Sequence, residues 1–209
     1  MIKVLLVDDH VIFRAGLKRV LDDIPDIKVI GEVSNGTDLL AQYHHLECDV
    51  ILLDITMPGE SGMEILKQIR KFNPEQKILI LSMHPEGQYA HRVLRAGGSG
   101  YLTKESPPER VISAIRKVAG GGKYVSANLA EELAFRASMG FNTPRHDQLS
   151  DREYQIMILI ASGKTRSEIS KELSLSEKTI STHRARVLEK MQLRNDAELS
   201  NYSSQHKLL

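Results

Sequence analysis

Between Met1 and Ala119 the hydrophobic positions follow two alternating patterns. Short aliphatic runs, "IKVLLVD", "IKVIGEV", "DVILLDI", "KILILSM" and "GYLTK", are separated by segments whose apolar residues recur every three or four positions. Phe13, Leu17, Val20, Leu21 and Ile24 make one such helical stripe, and Met63, Leu66, Ile69 and Phe72 another. Strands that are apolar almost without interruption are buried on both faces, which requires a parallel sheet covered by helices. The pattern therefore predicts five βα units in an open, doubly wound α/β sheet.

The rhythm changes at "GGGKYVSANLAEELAFRASMGFNTPRHDQ". Three glycines at one end, and Gly140 with Thr143-Pro144 at the other, break regular structure, leaving "ANLAEELAFRA" as one helix inside a linker over residues 121–148. From residue 149 to residue 209 the periods are helical throughout. Ser150 with Glu153 three residues on predicts a capping box, and Gly163 a helix stop. Scaffold and recognition helices are expected over Arg166 to Leu173 and Glu177 to Met191, joined by "LSLS" with Ser176 as cap, the shape of a helix-turn-helix. Ile169 and Leu173 face the core from the first, and Ile180, Val187, Leu188 and Met191 from the second. "NDAELSNYSSQHKLL" supplies a fourth helix.

At 209 residues the chain has room for two modest domains, each with its own core. With 41% hydrophobic and 26% charged residues it reads as globular and not disordered. The opening "MIKVLLVDDH" holds an apolar run of only four residues before two acids, too short for a secretory segment. No run of about 18 apolar residues occurs, so no membrane partner is expected and the reading is cytoplasmic. The single cysteine, Cys48, reads as a small buried side chain. Residues 1–120 carry a net charge of −1 and residues 121–209 a net charge of +2. Between Ser174 and Arg194 the excess is +3, from Lys178, Arg184, Arg186, Lys190 and Arg194 against Glu177 and Glu189. Charge alone does not establish nucleic-acid binding at that level.

In an open parallel sheet, ligands sit beyond the carboxyl ends of the strands. Here those ends carry Asp8 and Asp9, Asp54, Ser82 and Lys104. Three converging carboxylates repel one another unless a cation with oxygen preference offsets the charge, and Mg²⁺ is the natural candidate. The chain has no G-x-x-x-x-G-K-[ST] phosphate loop and no G-x-G-x-x-G after the first strand, which argues against nucleotide and dinucleotide sites. A phosphatase of the haloacid-dehalogenase type requires a second acid two residues after its nucleophile, where this chain has Thr56.

"VLLVDDH", "DVILLDITMPGESGMEIL", "KILILSMH" and "AGGSGYLTKESPPERVISAIR" together resemble the receiver domain of two-component response regulators, a flavodoxin-like fold, over residues 1–120. "LSDREYQIMILIASGKTRSEISKELSLSEKTISTHRARVLEKMQLRNDAEL" resembles the LuxR-type DNA-binding domain, which makes the whole similar to the NarL/FixJ family.

The resemblance implies that Asp54 accepts a phosphoryl group from a sensor histidine kinase. Asp9, Asp54 and the Thr56 backbone carbonyl would hold Mg²⁺, with Asp8 acting through water. Lys104 and Ser82 would contact phosphoryl oxygens, Tyr101 would swing from exposed to buried in step with Ser82, and Thr56 and His84 would tune the lifetime. The triple of Gly97, Gly98 and Gly100 departs from the family and reads as a pliant segment.

In the second domain the family's base-contact positions fall on Ser181, Thr182 and Ala185, all small. Lys178, Arg184 and Arg186 are then expected to supply phosphate contacts on double-stranded promoter DNA, with modest base discrimination. Phosphorylation would release this domain and favour a homodimer on paired half-sites. Two rivals are a constitutive DNA-binding regulator whose receiver no longer signals and an aspartyl-phosphate enzyme; the helical C-terminal module and the missing acid at position 56 count against the latter.

Overall fold

The computed structural model describes residues 1–138, 144–206 and 208–209, and the chain divides into two compact units, Met1–Glu131 and Glu132–Leu209. In the first, five parallel strands, β1 (Ile2–Val7), β2 (Ile27–Val33), β3 (Val50–Leu53), β4 (Lys77–Ser82) and β5 (Gly100–Thr103), lie in the order β2-β1-β3-β4-β5. Each strand is followed by a helix: α1 (Val11–Asp22), α2 (Gly36–Gln42), α3 (Gly62–Phe72), α4 (Glu86–Arg95) and α5 (Pro108–Ala119). The order reverses between β1 and β3, so the crevice at that switch point lies beside the ends of these two strands. Val4 and Leu6 of β1, Val50 and Leu52 of β3, and Leu79 and Leu81 of β4 pack with Leu21 of α1 and Val111, Ile115 and Val118 of α5. Their neighbours Leu5, Ile51 and Ile80 point the other way and are equally buried, which is why the runs show no polar alternation.

Residues 121–126, the start of the expected linker, pack on this unit. Tyr124 forms a parallel bridge with Gly100: its N–H donates to the Ser99 carbonyl (2.9 Å) and its carbonyl accepts from Tyr101 N–H (3.3 Å). The Ser126 N–H donates to Glu86 (3.2 Å) and Lys123 Nζ to the Gly98 carbonyl (2.8 Å). This strap covers the free edge of β5, an edge that would otherwise present unpaired backbone groups. It also corrects the reading of the glycine triple as pliant. A Cβ on Gly98 would meet Val93 at 2.4 Å, and one on Gly100 would meet the Tyr124 carbonyl at 2.5 Å. The glycines let chain pack on chain.

Helix α6 spans Ala127–Ser138, as the pattern indicated; Gly140 and Thr143, expected to break the chain after it, lie outside the described residues. The second unit holds α7 (Asp151–Ala161), α8 (Arg166–Leu173), α9 (Glu177–Met191) and α10 (Asp196–Gln205). Ser150–Glu153 and Thr165–Glu168 form complete capping boxes, and Ser176 and Asn195 cap α9 and α10. Ile169, Leu173, Ile180, Val187 and Met191 are buried with Tyr154 and Leu199, whereas Leu188, expected in the core, is only half-buried. No helix among the described residues is long and apolar enough to cross a membrane.

Candidate functional site

At the β1/β3 switch point the three acids and the lysine meet. The backbone sets this up: the Asp54 N–H donates to the Val7 carbonyl (2.9 Å) and Lys104 N–H to the Ser82 carbonyl (2.8 Å), so pairing between strands fixes where each side chain starts. Lys104 Nζ lies 2.7 Å from Asp54 Oδ2 and 2.6 Å from Asp8 Oδ2, its side chain only 2% exposed. Asp54 Oδ1 accepts from the Thr56 N–H at 3.0 Å. Asp54 is 1% exposed. Burial pushes its carboxyl above the ordinary value although Lys104 and the Thr56 N–H oppose the shift.

Asp8, Asp9, Asp54 and His10 present ligand atoms within 4.8 Å of one another. Asp9 Oδ1 is enclosed yet accepts no well-directed hydrogen bond, with His10 Nδ1 3.0 Å away. Carboxylates this close, one with unused acceptor capacity, fit a hard divalent cation. Receiver domains typically bind Mg²⁺ at such an acidic pocket, and this one has the donor set for it.

Around the acids stand the remaining receiver residues. Ser82 is fully buried, with its Oγ accepting from the His84 N–H at 3.2 Å. His84 Nε2 is 3.1 Å from Thr56 Oγ1, which joins the two lifetime-tuning candidates directly. Tyr101, expected to swing from exposed to buried in step with Ser82, is 1% exposed here and donates its hydroxyl to the His84 carbonyl (2.8 Å). The physical reason is local: the strap pairs with its backbone and the β4–α4 loop offers its hydroxyl an acceptor.

Three contributors went unremarked in the sequence. His10 Nδ1 lies 3.2 Å from both Asp8 Oδ1 and Lys104 Nζ, and its place directly after Asp9 was the available signal. Phe13 lies under Lys104 Nζ, 4.9 Å from the ring centroid, and α1 periodicity had marked it only as core. Gly62 leaves room for the Asp54 backbone: a Cβ there would fall 2.0 Å from the Asp54 carbonyl oxygen.

In the second unit, α9 carries Lys178, Thr182, Ala185 and Arg186 exposed and Ser181 half-exposed. The Ser181 and Thr182 hydroxyls donate back to the Glu177 and Lys178 carbonyls at 2.9 and 3.0 Å, so outward they offer acceptor lone pairs. Arg184 is engaged within the fold: its Nε lies 2.8 Å from Asp196 Oδ1, tying α9 to the first turn of α10.

A five-stranded parallel receiver with an acid pocket at its switch point, together with a helix-turn-helix unit, defines a response regulator. The family models agree, the response regulator receiver domain matching residues 4–116 and the luxR family of bacterial regulatory proteins residues 147–203. The chain belongs to the NarL/FixJ response regulators, two-component proteins with a DNA-binding LuxR-type domain. It is similar to the response regulator UvrY of Escherichia coli K12, 40% identical over 209 residues that span all of this chain and 96% of that one. The response regulator GacA of Pseudomonas aeruginosa is 37% identical over 213 residues, covering 100% of this chain and 98% of the relative. Among solved structures, RcsB of Salmonella enterica serovar Typhimurium bound to promoter rprA with the phosphomimetic BeF3− matches with a TM-score of 0.66 and 27% identity, covering 97% of this chain and 98% of that one. A further RcsB–DNA complex matches with a TM-score of 0.61 and 28% identity over 97% and 98% of the two chains.

Proposed function

We propose that Asp54 is the phosphoacceptor of a switch that controls DNA binding by α9. The observation that carries the reading is the Asp54 carboxylate itself, buried at a strand end between Lys104, Asp8 and the Thr56 N–H. A partner histidine kinase supplies the phosphoryl group as a phosphohistidine. Asp54 Oδ attacks phosphorus, the P–N bond breaks, and the imidazole leaves with the electron pair. Lys104, already aimed at Asp54, pairs with a phosphoryl oxygen as a point charge, and Ser82 donates its hydroxyl to another. Asp9, Asp54 and the Thr56 carbonyl would hold Mg²⁺, with Asp8 acting through water, and the ion would supply positive charge against that building on the transferring group. Thr56 and His84, hydrogen-bonded to each other, flank the acyl phosphate and set its lifetime by controlling water access. The chain acts on itself here and on no small substrate.

In the DNA-binding unit, α9 enters the major groove of promoter DNA, with Lys178, Arg186 and the remaining donors of Arg184 on phosphates, and Ser181, Thr182 and Ala185 toward base edges. Phosphorylation frees this unit and favours a homodimer on half-sites about one DNA turn apart. The RcsB structure bound to promoter DNA in the presence of a phosphomimetic supports, by analogy, the pairing of phosphorylation with DNA binding.

A constitutive regulator is the second reading, in which the buried Tyr101, with its hydroxyl on the His84 carbonyl, keeps one seat throughout. DNA binding by wild type, with and without an acyl-phosphate donor plus Mg²⁺, and by Asp54→Ala separates the two. Tighter binding with the donor, lost in the substitution, establishes the switch. Equal binding in all three samples leaves only the constitutive regulator.

A further inference from the structure

The base-contact positions of α9 are small, yet an arginine reaches one of them, Ser181, from another helix. Arg166 is the first residue of α8, and its Nη1 lies 3.3 Å from Ser181 Oγ on α9. Its backbone is fixed, because Thr165 caps α8 through a full capping box: Thr165 N–H and hydroxyl both donate to Glu168 at 2.7 Å. The side chain is exposed and has no carboxylate partner among the described residues. Other cations nearby are differently committed: Arg184 pairs with Asp196, Lys190 with Glu153, and Lys164 with Glu172.

We infer that Arg166 is a base-reading residue, a guanidinium placed beside Ser181 so that it reaches a guanine in the major groove of each half-site. The inference rests on the reading that α9 occupies that groove. Ser181 Oγ uses its own proton on the Glu177 carbonyl, so it accepts from Arg166 and aims the guanidinium without consuming its fork. A planar fork with several unspent N–H donors matches the O6 and N7 acceptors of guanine, which a lysine ammonium does not. Discrimination that the small residues of α9 cannot supply is thereby provided from α8, and selectivity is stronger than the recognition helix alone implies.

The test is selection of bound sequences from a random duplex pool by the full-length protein, treated with an acyl-phosphate donor and Mg²⁺, as wild type, Arg166→Ala and Arg166→Lys. Melting curves verify that each variant folds. The expected result is one guanine position per half-site whose preference drops about tenfold to a hundredfold in Arg166→Ala and is not restored by Arg166→Lys. Two results overturn the inference: uniform weakening across all sequences with a shallower salt dependence, which is a phosphate contact, or an unchanged motif. Ala185→Glu is the control for the underlying reading. A large acid facing the groove abolishes binding if α9 is there, so undiminished binding by that variant rejects the docking of α9, while its loss alongside an intact Arg166→Ala motif rejects Arg166 alone.

Discussion

Gly62→Ala isolates how the fold holds the reacting carboxylate. The added methyl would lie 2.0 Å from the Asp54 carbonyl oxygen, 2.8 Å from Ile55 Cα and 2.9 Å from the Asp54 carbonyl carbon. All three are backbone atoms with no rotamer to yield, so repulsion must part α3 from the end of β3 by at least about 1 Å. Overpacking of that kind costs about 1–3 kcal/mol, which at about 4 °C per kcal/mol lowers the receiver's melting temperature by about 4–12 °C. Because the strand end carrying Asp54 is what moves, misplacement of about 1 Å also slows phosphorylation by about a hundredfold. Calorimetry gives the first number, and intact-mass spectrometry of samples taken through a reaction with an acyl-phosphate donor gives the second. Gly16→Ala is the matched control. It lies within α1 with nothing within 4 Å of the new Cβ, so it gains about 0.5–1 kcal/mol from reduced unfolded-chain freedom and leaves phosphorylation alone. A Gly62→Ala protein that melts and phosphorylates like wild type would refute the claim that this contact positions Asp54.

Glu153→Gln is expected to destabilise the DNA-binding unit by about 1–2 kcal/mol at pH 7, read by urea denaturation, because it removes a buried carboxylate that takes Lys190 Nζ at 2.7 Å and the Ser150 N–H at 2.8 Å. Burial opposes the charge on Glu153, but Lys190 and Ser150 outweigh it and hold the carboxyl below its usual value, so its contribution is present above the unfolded pKa and lost as pH falls through the folded one; the two proteins converge only below that folded pKa. Burial drives the Cys48 thiol up to about 11, and alkylation at pH 8 is expected to run about a hundredfold slower in the folded protein than in urea; equal rates would show the thiol to be solvated. Tyr101→Phe deletes the hydroxyl bond to the His84 carbonyl and is expected to cost the receiver about 1 kcal/mol by calorimetry; an unchanged melting temperature would show that bond to be worth nothing.

What was legible in the sequence was whatever side-chain pattern encodes. The apolar runs located all five strands, their terminal residues assembled the acid pocket, Ser176 marked the start of α9, and α8 was expected close to its observed Arg166–Leu173. What escaped was carried by backbone or by distant partners. The strap over β5 is held largely by main-chain groups of Ser99, Tyr101 and Tyr124, and hydropathy has no signature for these. Gly98 and Gly100 looked like freedom and proved to be close contact, since a missing Cβ reads the same in either case until its neighbour is known. Arg184 was counted as a free cation because its partner Asp196 sits on the next helix. Arg166 lies on α8, away from the family's base-contact positions on α9, so its nearness to Ser181 has no signature in the sequence.

Tyr101 is where these two kinds of information meet. Its hydroxyl is bonded to the His84 carbonyl, two residues beyond Ser82 and beside Thr56. Its N–H is bonded to the strap at Tyr124, which is bridged in turn to Gly100. The tyrosine therefore cannot leave its seat without releasing a bond on the phosphoacceptor side, and the strap cannot lift without exposing its backbone. The first bond belongs to the side chain and the second to the main chain, so each is worth about 1 kcal/mol and one can break while the other holds. On the proposed function, a phosphoryl group on Asp54 that drew Ser82 inward would act first on the β4–α4 loop and the Tyr101 hydroxyl, and the strap would respond only if the Tyr101 backbone moved as well.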